Sequence, residues 1–213
     1  MKPLRTLLYL TTLFMGLLAL PLTLEADGIT VYSDFGPGQS YYPNVGYFVT
    51  AGETMGIGFT NSTGQNVDLT QIDVAIGVSS GNNSVTLGLY TDNGGVPGTF
   101  LESWIVDNLP AWPASPCCPV DTVFDSAGVV LQNGATYFLT ATAGSGGGNV
   151  DWSINNIGAS GPALGSNGTS WNVFTTTTAN AFDVLGTTAV PEPPTLLLMG
   201  VGLGLLIGLK RLL

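Results

Sequence analysis

Basic side chains are almost missing from this chain of 213 residues. It has four lysines and arginines and no histidine, and the four cations are Lys2, Arg5, Lys210 and Arg211. The body of the chain, residues 27–190, therefore carries no basic side chain at all, although the chain holds 14 acidic residues. A surface of this kind repels phosphate backbones, so nucleic acid is excluded as a partner. The acidic excess favours solubility and does not identify a ligand.

The absence of histidine also excludes most catalytic sites. A serine or cysteine nucleophile would have no histidine to activate it, and the body has no lysine to take that part. Glycoside hydrolysis needs two carboxylates roughly 5–10 Å apart, but Glu53 and Glu102 are the only glutamates of the body and its aspartates are scattered. We therefore predict a non-catalytic protein without a cofactor or metal ion. A glycosidase-like carbohydrate-active enzyme and a Ca²⁺-dependent sugar-binding adhesion module are the alternatives.

Cysteine occurs only as the neighbouring pair Cys117 and Cys118, in "SPCCP". An oxidising compartment would favour a disulfide. Adjacent Cα atoms lie about 3.8 Å apart, however, whereas a relaxed disulfide joins Cα atoms about 5.5 Å apart. The possible disulfide is therefore a strained vicinal one, with intermolecular pairing or free thiols as alternatives. Two thiols alone are too few ligands for a metal site.

The amino terminus has the three parts of a secretory signal. Lys2 and Arg5 precede an apolar run over residues 7–20, and Pro21 separates this run from a cleavage region that ends at Ala26. We expect signal peptidase to cut after Ala26, so that residues 1–26 are a signal peptide. A retained membrane anchor is the alternative, although the run is shorter than the 20 or so residues of a typical span.

The carboxyl terminus carries a second apolar segment, residues 195–209. It is short for a transmembrane helix, but Lys210 and Arg211 can reach the interface and mark the cytoplasmic side. The chain between the two ends then lies on the exported side of the membrane. Three glycines at four-residue spacing share one face of this predicted helix: Gly200, Gly204 and Gly208. That face either packs closely against a partner helix or has no partner.

A short proline-rich motif precedes this segment, formed by Val190, Pro191, Glu192 and Pro193. The motif, the apolar helix and the basic end together resemble the PEP-CTERM sorting signal of Gram-negative bacteria. In that family an exosortase, a membrane transpeptidase-like protease, recognises the signal on exported proteins that are commonly associated with exopolysaccharide. The resemblance implies an inner-membrane-anchored precursor that is processed and then reaches the cell surface, biofilm or medium. A permanent anchor is the alternative. The prolines predict an extended linker over residues 187–194.

The body reads as a series of β-strands. In "QIDVAIGVSS" the residues Ile72, Val74, Ile76 and Val78 alternate with Asp73 and other small or polar residues, which is typical of a strand. The segments predicted as strands are 30–34, 46–50, 55–60, 71–80, 84–92, 99–106, 136–141, 150–154, 170–175 and 181–185. Glycine-rich turns such as "DNGGVPG" separate them. We predict one antiparallel β-sandwich or jelly-roll domain over residues 27–186, flanked by the signal helix and the hydrophobic helix of residues 195–213.

Two stretches of the body carry a second resemblance. "LGLYTDNGGVPGTFLES" and "LQNGATYFLTATAG" resemble the exported β-sandwich type often named choice-of-anchor R, mainly within residues 89–101 and 131–140. The shared motifs are strands and turns, and no catalytic residue is defined for that type. The resemblance therefore implies a fold and no active site.

Trp112 is the best single candidate for contact with a sugar ring. It lies in the proline-rich loop "LPAWPASPCCP", where burial is less certain than in a strand, whereas core packing is the alternative. The turn "YTDNGG" offers oxygen ligands for Ca²⁺, but this sequence is also ordinary turn chemistry.

Overall fold

The computed structural model describes residues 28–115, 118–144 and 148–188, with the backbone alone at residues 175 and 176. This part of the chain consists of strands and turns, and no helix occurs in it. Its strands are β1 (Gly28–Ser33), β2 (Gly46–Val49), β3 (Thr54–Thr60), β4 (Val67–Val74), β5 (Ile76–Ser80), β6 (Ser84–Asp92), β7 (Pro97–Asp107), β8 (Asp121–Phe124), β9 (Val130–Leu131), β10 (Thr136–Ala143), β11 (Asn149–Ser153), β12 (Ser160–Ser166), β13 (Trp171–Thr178) and β14 (Phe182–Thr188).

The strands form three sheets. The first has the order β1-β14-β4-β8, with β9 also beside β4; the second is β13-β12-β3-β10-β6-β7; the third is β2-β11-β5. All of the strand pairs are antiparallel. The prediction of an all-β, antiparallel fold is confirmed, and the arrangement is consistent with a β-sandwich.

One hydrophobic core joins the three sheets. In the second sheet, Leu139 of β10 pairs with Ile57 of β3 and with Leu89 of β6, and all three side chains are fully buried. Ile72 of the first sheet and Trp152 of the third belong to the same core cluster. Because burial of one large aliphatic side chain contributes about 1.5–3 kcal/mol, this cluster is the main source of stability.

The predicted strand over residues 71–80 is divided between two sheets. β4 ends at Val74 in the first sheet, and β5 begins at Ile76 in the third. Ala75 lies between them; its N–H donates to the Ala181 carbonyl, and its own carbonyl accepts from the Ser153 N–H. The strand therefore turns a corner between two packed sheets, which a pattern of alternating residues does not reveal.

Candidate functional site

A groove of about 530 Å³ lies between strands of the second and third sheets. Its walls come from β2, from the start of β3, and from β12 and β13 with the turn between them. Val49, Met55 and Leu164 are buried core residues that form its apolar floor. β2 is an edge strand of the third sheet and β13 an edge strand of the second, so the groove lies where two sheet edges meet.

Two half-exposed phenylalanines project from the walls of the groove. Phe48 of β2 is 56% exposed and Phe174 of β13 is 51% exposed. Phe174 packs over Gly165: a Cβ added to that glycine would lie 3.0 Å from a ring carbon of Phe174. Phe48 is oriented by Trp112, whose ring meets it edge-on with the centroids 5.4 Å apart. The groove therefore presents two aromatic side chains whose positions are fixed by neighbours.

Hydrogen-bonding side chains accompany the aromatic rings. Glu53 is exposed and accepts a 2.5 Å hydrogen bond from the Thr50 hydroxyl. Asn167 and Asn172 are exposed and line the opposite wall. The buried Thr177 hydroxyl has no hydrogen-bond partner among the described residues. Aromatic rings beside amide, carboxylate and hydroxyl groups suit a ligand that has both apolar faces and hydroxyl groups.

Trp112, the predicted sugar-contact residue, is half-buried behind this groove. Its backbone N–H donates to the Val78 carbonyl at 2.8 Å. Its indole Nε1 is buried and finds no hydrogen-bond partner in the part of the chain that the structure describes. Trp112 supports Phe48 and is not itself a lining residue, so direct contact with a sugar stays a prediction.

Phe48 and Phe174 were not predicted as site residues, because the prediction of sugar contact rested on a tryptophan in a loop. The alternation of inward-facing and outward-facing residues along β2 could have indicated Phe48. Tyr47 and Phe48 are neighbours on β2, and Val49 is buried, so Phe48 has to face away from the core. Trp152, by contrast, is fully buried, and its Nε1 donates to the Ala181 carbonyl at 3.2 Å.

Most of the predicted site residues lie outside the described residues, and their roles stay predictions. These are Ala26, Cys117, Val190, Pro191, Glu192, Pro193, Gly200, Gly204, Gly208, Lys210 and Arg211. Cys118 is described: it is disulfide-bonded, half-buried, and its Sγ lies 3.8 Å from the Tyr41 carbonyl oxygen. None of the described segments contains a helix long and apolar enough to cross a membrane.

The turn considered for calcium is stabilised by its own hydrogen bonds. Asp92 Oδ1 accepts from the Gly95 N–H at 2.8 Å, and the Asn93 N–H donates to the Val96 carbonyl. Within the described residues, no three acidic or cysteine side chains converge in a way that would hold a metal ion. The Asp92 carboxylate is thus engaged in forming the turn.

Several buried carboxylates were not predicted. Asp34, Asp73, Asp151 and Asp183 are each less than 9% exposed, and the body has no basic side chain to neutralise them. Burial raises the pKa of Asp34 and of Asp151 to about 7, and it raises the pKa of Asp121 to about 6. It also raises the pKa of Asp183. Asp34 and Asp151 therefore take up protons close to neutral pH, because desolvation disfavours the charged form.

No family model and no curated protein matches this chain. Among solved structures it is similar to the cysteine protease and lectin-like domains of Cwp84, a surface layer associated protein of Clostridium difficile, with a TM-score of 0.40 and 10% identity. The similarity covers 66% of this chain and 33% of that chain, so this chain spans about a third of the other's length. At this TM-score the likeness carries no argument about function.

Proposed function

We propose that this chain is an exported, non-catalytic protein of the cell envelope or extracellular matrix that binds neutral polysaccharide in the groove. The observation that carries the binding function is the pair Phe48 and Phe174, two half-exposed rings on walls that also carry Glu53 and two asparagines. Aromatic side chains stack on the apolar faces of sugar rings, while amides donate hydrogen bonds to hydroxyl groups and both amides and carboxylates accept hydrogen bonds from them.

The charge of the body favours a neutral polysaccharide over an acidic one. All of the 14 acidic residues except Glu25 and Glu192 lie within residues 27–190, where there is no cation. An anionic polymer would be repelled by this surface, since like charges raise the free energy of association. Glu53 adds a negative charge in the groove itself.

The groove is better suited to binding than to hydrolysis. Glu53 is the one carboxylate among the described residues that line it. Glycosidases of the usual kind need two carboxyl groups roughly 5–10 Å apart, one as acid and one as base or nucleophile. This observation favours the non-catalytic alternative over a glycosidase.

We further infer that the body is a β-sandwich whose main layers are the first and second sheets. Their inward-facing residues, for example Val184 of β14 and Ile57 of β3, belong to one core cluster, as expected for two sheets packed face to face. We also propose flanking helices over residues 1–26 and 195–213, on the basis of the apolar runs in their sequences.

The proposed route to the cell surface rests on the two chain ends. Residues 1–26 direct export and are removed by signal peptidase, and the apolar segment 195–209 holds the precursor in the inner membrane. An exosortase-type protease then cuts at the motif around Glu192. The proposal implies a Gram-negative host and a final place at the cell surface or in the extracellular matrix.

Retention on immobilised neutral glucan and mannan tests the binding function. The secreted protein is purified from the producing strain, and Phe48→Ala and Phe174→Ala are compared with the wild type. We expect each substitution to weaken retention at least about 2-fold, since each removes a ring that buries apolar area against a sugar face. Phe124→Ala is the matched control, because Phe124 is 64% exposed but lies in the first sheet.

Three outcomes would contradict the proposal. Equal retention of all three variants would place binding elsewhere, and no retention of the wild type on any neutral glycan would remove the binding function. Release of reducing ends during incubation would replace it with the glycosidase alternative.

A further inference from the structure

Three residues form a row across the third sheet: Phe48 on β2, Asp151 on β11 and Gly77 on β5. Directly paired residues of an antiparallel sheet project from the same face, so Asp151 lies between the other two on that face. Trp112 contacts both ends of the row. Its ring centroid is 5.4 Å from that of Phe48, and its Cβ would lie 3.2 Å from a Cβ added to Gly77. The Trp112 side chain therefore spans the row on the face from which the Asp151 side chain projects.

The Asp151 carboxylate has no partner to stabilise its charge. Asp151 is 0% exposed, and neither of its carboxylate oxygens has a hydrogen-bond partner within the described segments. The carboxylate occupies space that exists only because residue 46 is glycine, since a Cβ there would collide with Asp151 Oδ1. The indole Nε1 of Trp112 is likewise buried without a described partner. An ionised carboxylate in such a place is costly unless water or a donor reaches it.

The described groups around Asp151 cannot supply a second charge. Its neighbours along and across the three strands are uncharged: Gly46, Phe48, Gly77, Ser79, Asn149 and Ser153. The covering segment, residues 109–112, contains no titratable side chain. Any titration at this place within the described part of the chain is therefore that of Asp151 itself.

We propose that Asp151 makes glycan binding in the groove dependent on pH, with Trp112 and Phe48 as the positioning residues. When Asp151 is protonated, the indole covers it and supports Phe48 at the wall of the groove. When Asp151 is ionised, water enters, the indole rotates away, and Phe48 loses its support. This inference rests on the proposed function, since Phe48 is one of the two aromatic walls.

Only side chains need to move in this transition. The backbone of the covering segment is held on β5 by two hydrogen bonds of 2.8 Å, from the Val78 N–H to the Pro110 carbonyl and from the Trp112 N–H to the Val78 carbonyl. Leu109 anchors the start of the segment in the core. Rotation of the indole leaves these contacts intact, so the change remains local.

The direction of the pH effect follows from which form of Asp151, covered or solvated, binds its proton more tightly. The covered carboxylate has a pKa of about 7, whereas a solvated aspartate has a pKa of about 3.9. Between these two pKa values, the ratio of covered to uncovered protein falls by up to about tenfold for each unit of rising pH. Above about pH 7 both forms are ionised, and no further change is expected.

The test measures retention of the secreted protein on immobilised neutral glucan from pH 5 to pH 8. We expect retention by the wild type to fall at least threefold between pH 5 and pH 7 and then to level off. Asp151→Asn cannot ionise and should show no such fall. Asp34→Asn is the matched control, because the pKa of Asp34 is also about 7 but its strand neighbours belong to the first sheet; this variant should behave like the wild type. A pH-independent wild type, or an unchanged fall in Asp151→Asn, would overturn the inference.

A second readout does not depend on glycan binding. Acrylamide quenching of tryptophan fluorescence is compared between the wild type and Trp112→Phe at pH 5 and pH 8, and the difference isolates Trp112. We expect Trp112 to be more accessible at pH 8, and equally protected at both pH values in Asp151→Asn. If no glycan is retained at any pH but the quenching changes as expected, the proposed function fails, while the pH-dependent covering of Asp151 by Trp112 is supported. Unchanged quenching would overturn that covering.

Discussion

Asp183 on β14 lies directly opposite Asp73 on β4, and both carboxylates are buried. Gln39 relieves this pair: its Nε2 donates to Asp73 Oδ2 at 2.9 Å, and its side chain also hydrogen-bonds to Asp183. Asp73 Oδ1 accepts two further bonds, from Gln71 Nε2 at 2.8 Å and from the Thr122 hydroxyl at 2.7 Å. Asp183 Oδ1, in contrast, has no partner among the described residues. Neutral hydrogen-bond donors thus stabilise this carboxylate pair, a task for which other proteins use a lysine or an arginine.

Asp183→Asn is expected to stabilise the protein at pH 8. Like charges directly opposite each other on a sheet are destabilising, so removing one should raise the free energy of unfolding by about 1 kcal/mol or less. The gain should shrink as the pH falls, because burial raises the pKa of Asp183 and the folded wild type therefore takes up this proton more readily than the unfolded chain does. Urea unfolding at pH 8 and at pH 4 measures the difference. An equal gain at pH 4 would show that charge is not the cause.

Stability should fall as the pH rises from about 4 to about 7. The pKa of Asp34 is raised by burial to about 7, so the folded state keeps a proton that the unfolded state has already lost in this range. Each such group contributes a slope of up to about 1.4 kcal/mol per pH unit, and no further loss is expected above pH 7. Asp34→Asn should flatten the profile of unfolding free energy against pH. A profile as steep as that of the wild type would assign the dependence to other carboxylates.

Asn61→Ala and Asn167→Ala form a matched pair. In both cases the asparagine Oδ1 accepts from the backbone N–H and the hydroxyl of the threonine two residues later. Asn61 is fully buried, and its Nδ2 also donates to the Gln65 and Leu131 carbonyls, whereas Asn167 is exposed. Because buried groups left unpaired cost about 1–3 kcal/mol each, Asn61→Ala should lose at least 2 kcal/mol and Asn167→Ala less than 1 kcal/mol. Comparable losses in urea unfolding would contradict this reading of the two sites.

The cysteine pair is expected to be oxidised within one molecule. Cys118 is disulfide-bonded in the structure, and Cys117 is the other cysteine of the chain. The secreted monomer should be about 2 Da lighter than its reduced form by intact-mass spectrometry, and it should react with an alkylating reagent only after reduction. Stoichiometric alkylation of the untreated protein would show free thiols, and a disulfide-linked dimer would show intermolecular pairing.

The mature protein is expected to begin near Asp27 and to end near Glu192. Glu192→Ala should leave an uncut form in the membrane fraction, since the protease is proposed to recognise the extended motif that contains this residue. Mass spectrometry of surface protein from the producing strain identifies both ends. Tail peptides that include Lys210 on the mature surface protein would point to a permanent anchor instead.

The sequence predicted the strands in which large apolar residues alternate with smaller or polar ones. The predicted segments 55–60 and 84–92 correspond to β3 and β6, where Ile57 and Leu89 alternate with smaller or polar residues. β12, "SGPALGS", was missed because its glycines, serines and Pro162 are typical of turns. It forms a strand because β3 and β13 pair with it on its two sides, and its register shifts between Gly161 and Ala163, around the proline. Long-range pairing here outweighs local preference.

The buried acids could not have been predicted from the pattern alone. Alternation correctly places Asp73 on the face opposite Ile72 and Val74, and such a face is usually solvated. Here the segment that carries Phe35 and Tyr41 packs over that face together with Ala75 and Ala181. Whether a loop covers the outer face of a sheet depends on contacts between residues far apart in sequence, and a period of two holds no information about them.

The position of β14 has a mechanical consequence. This strand, Phe182–Thr188, is the last described strand, and it is hydrogen-bonded along one side to β1 and along the other to β4. Antiparallel hydrogen bonds run perpendicular to their strands, so a tension applied along the chain beyond Thr188 shears both rows together instead of opening them one bond at a time. A body tethered through its carboxyl end and pulled by a polymer in the groove would carry that load on its most firmly bonded terminal strand.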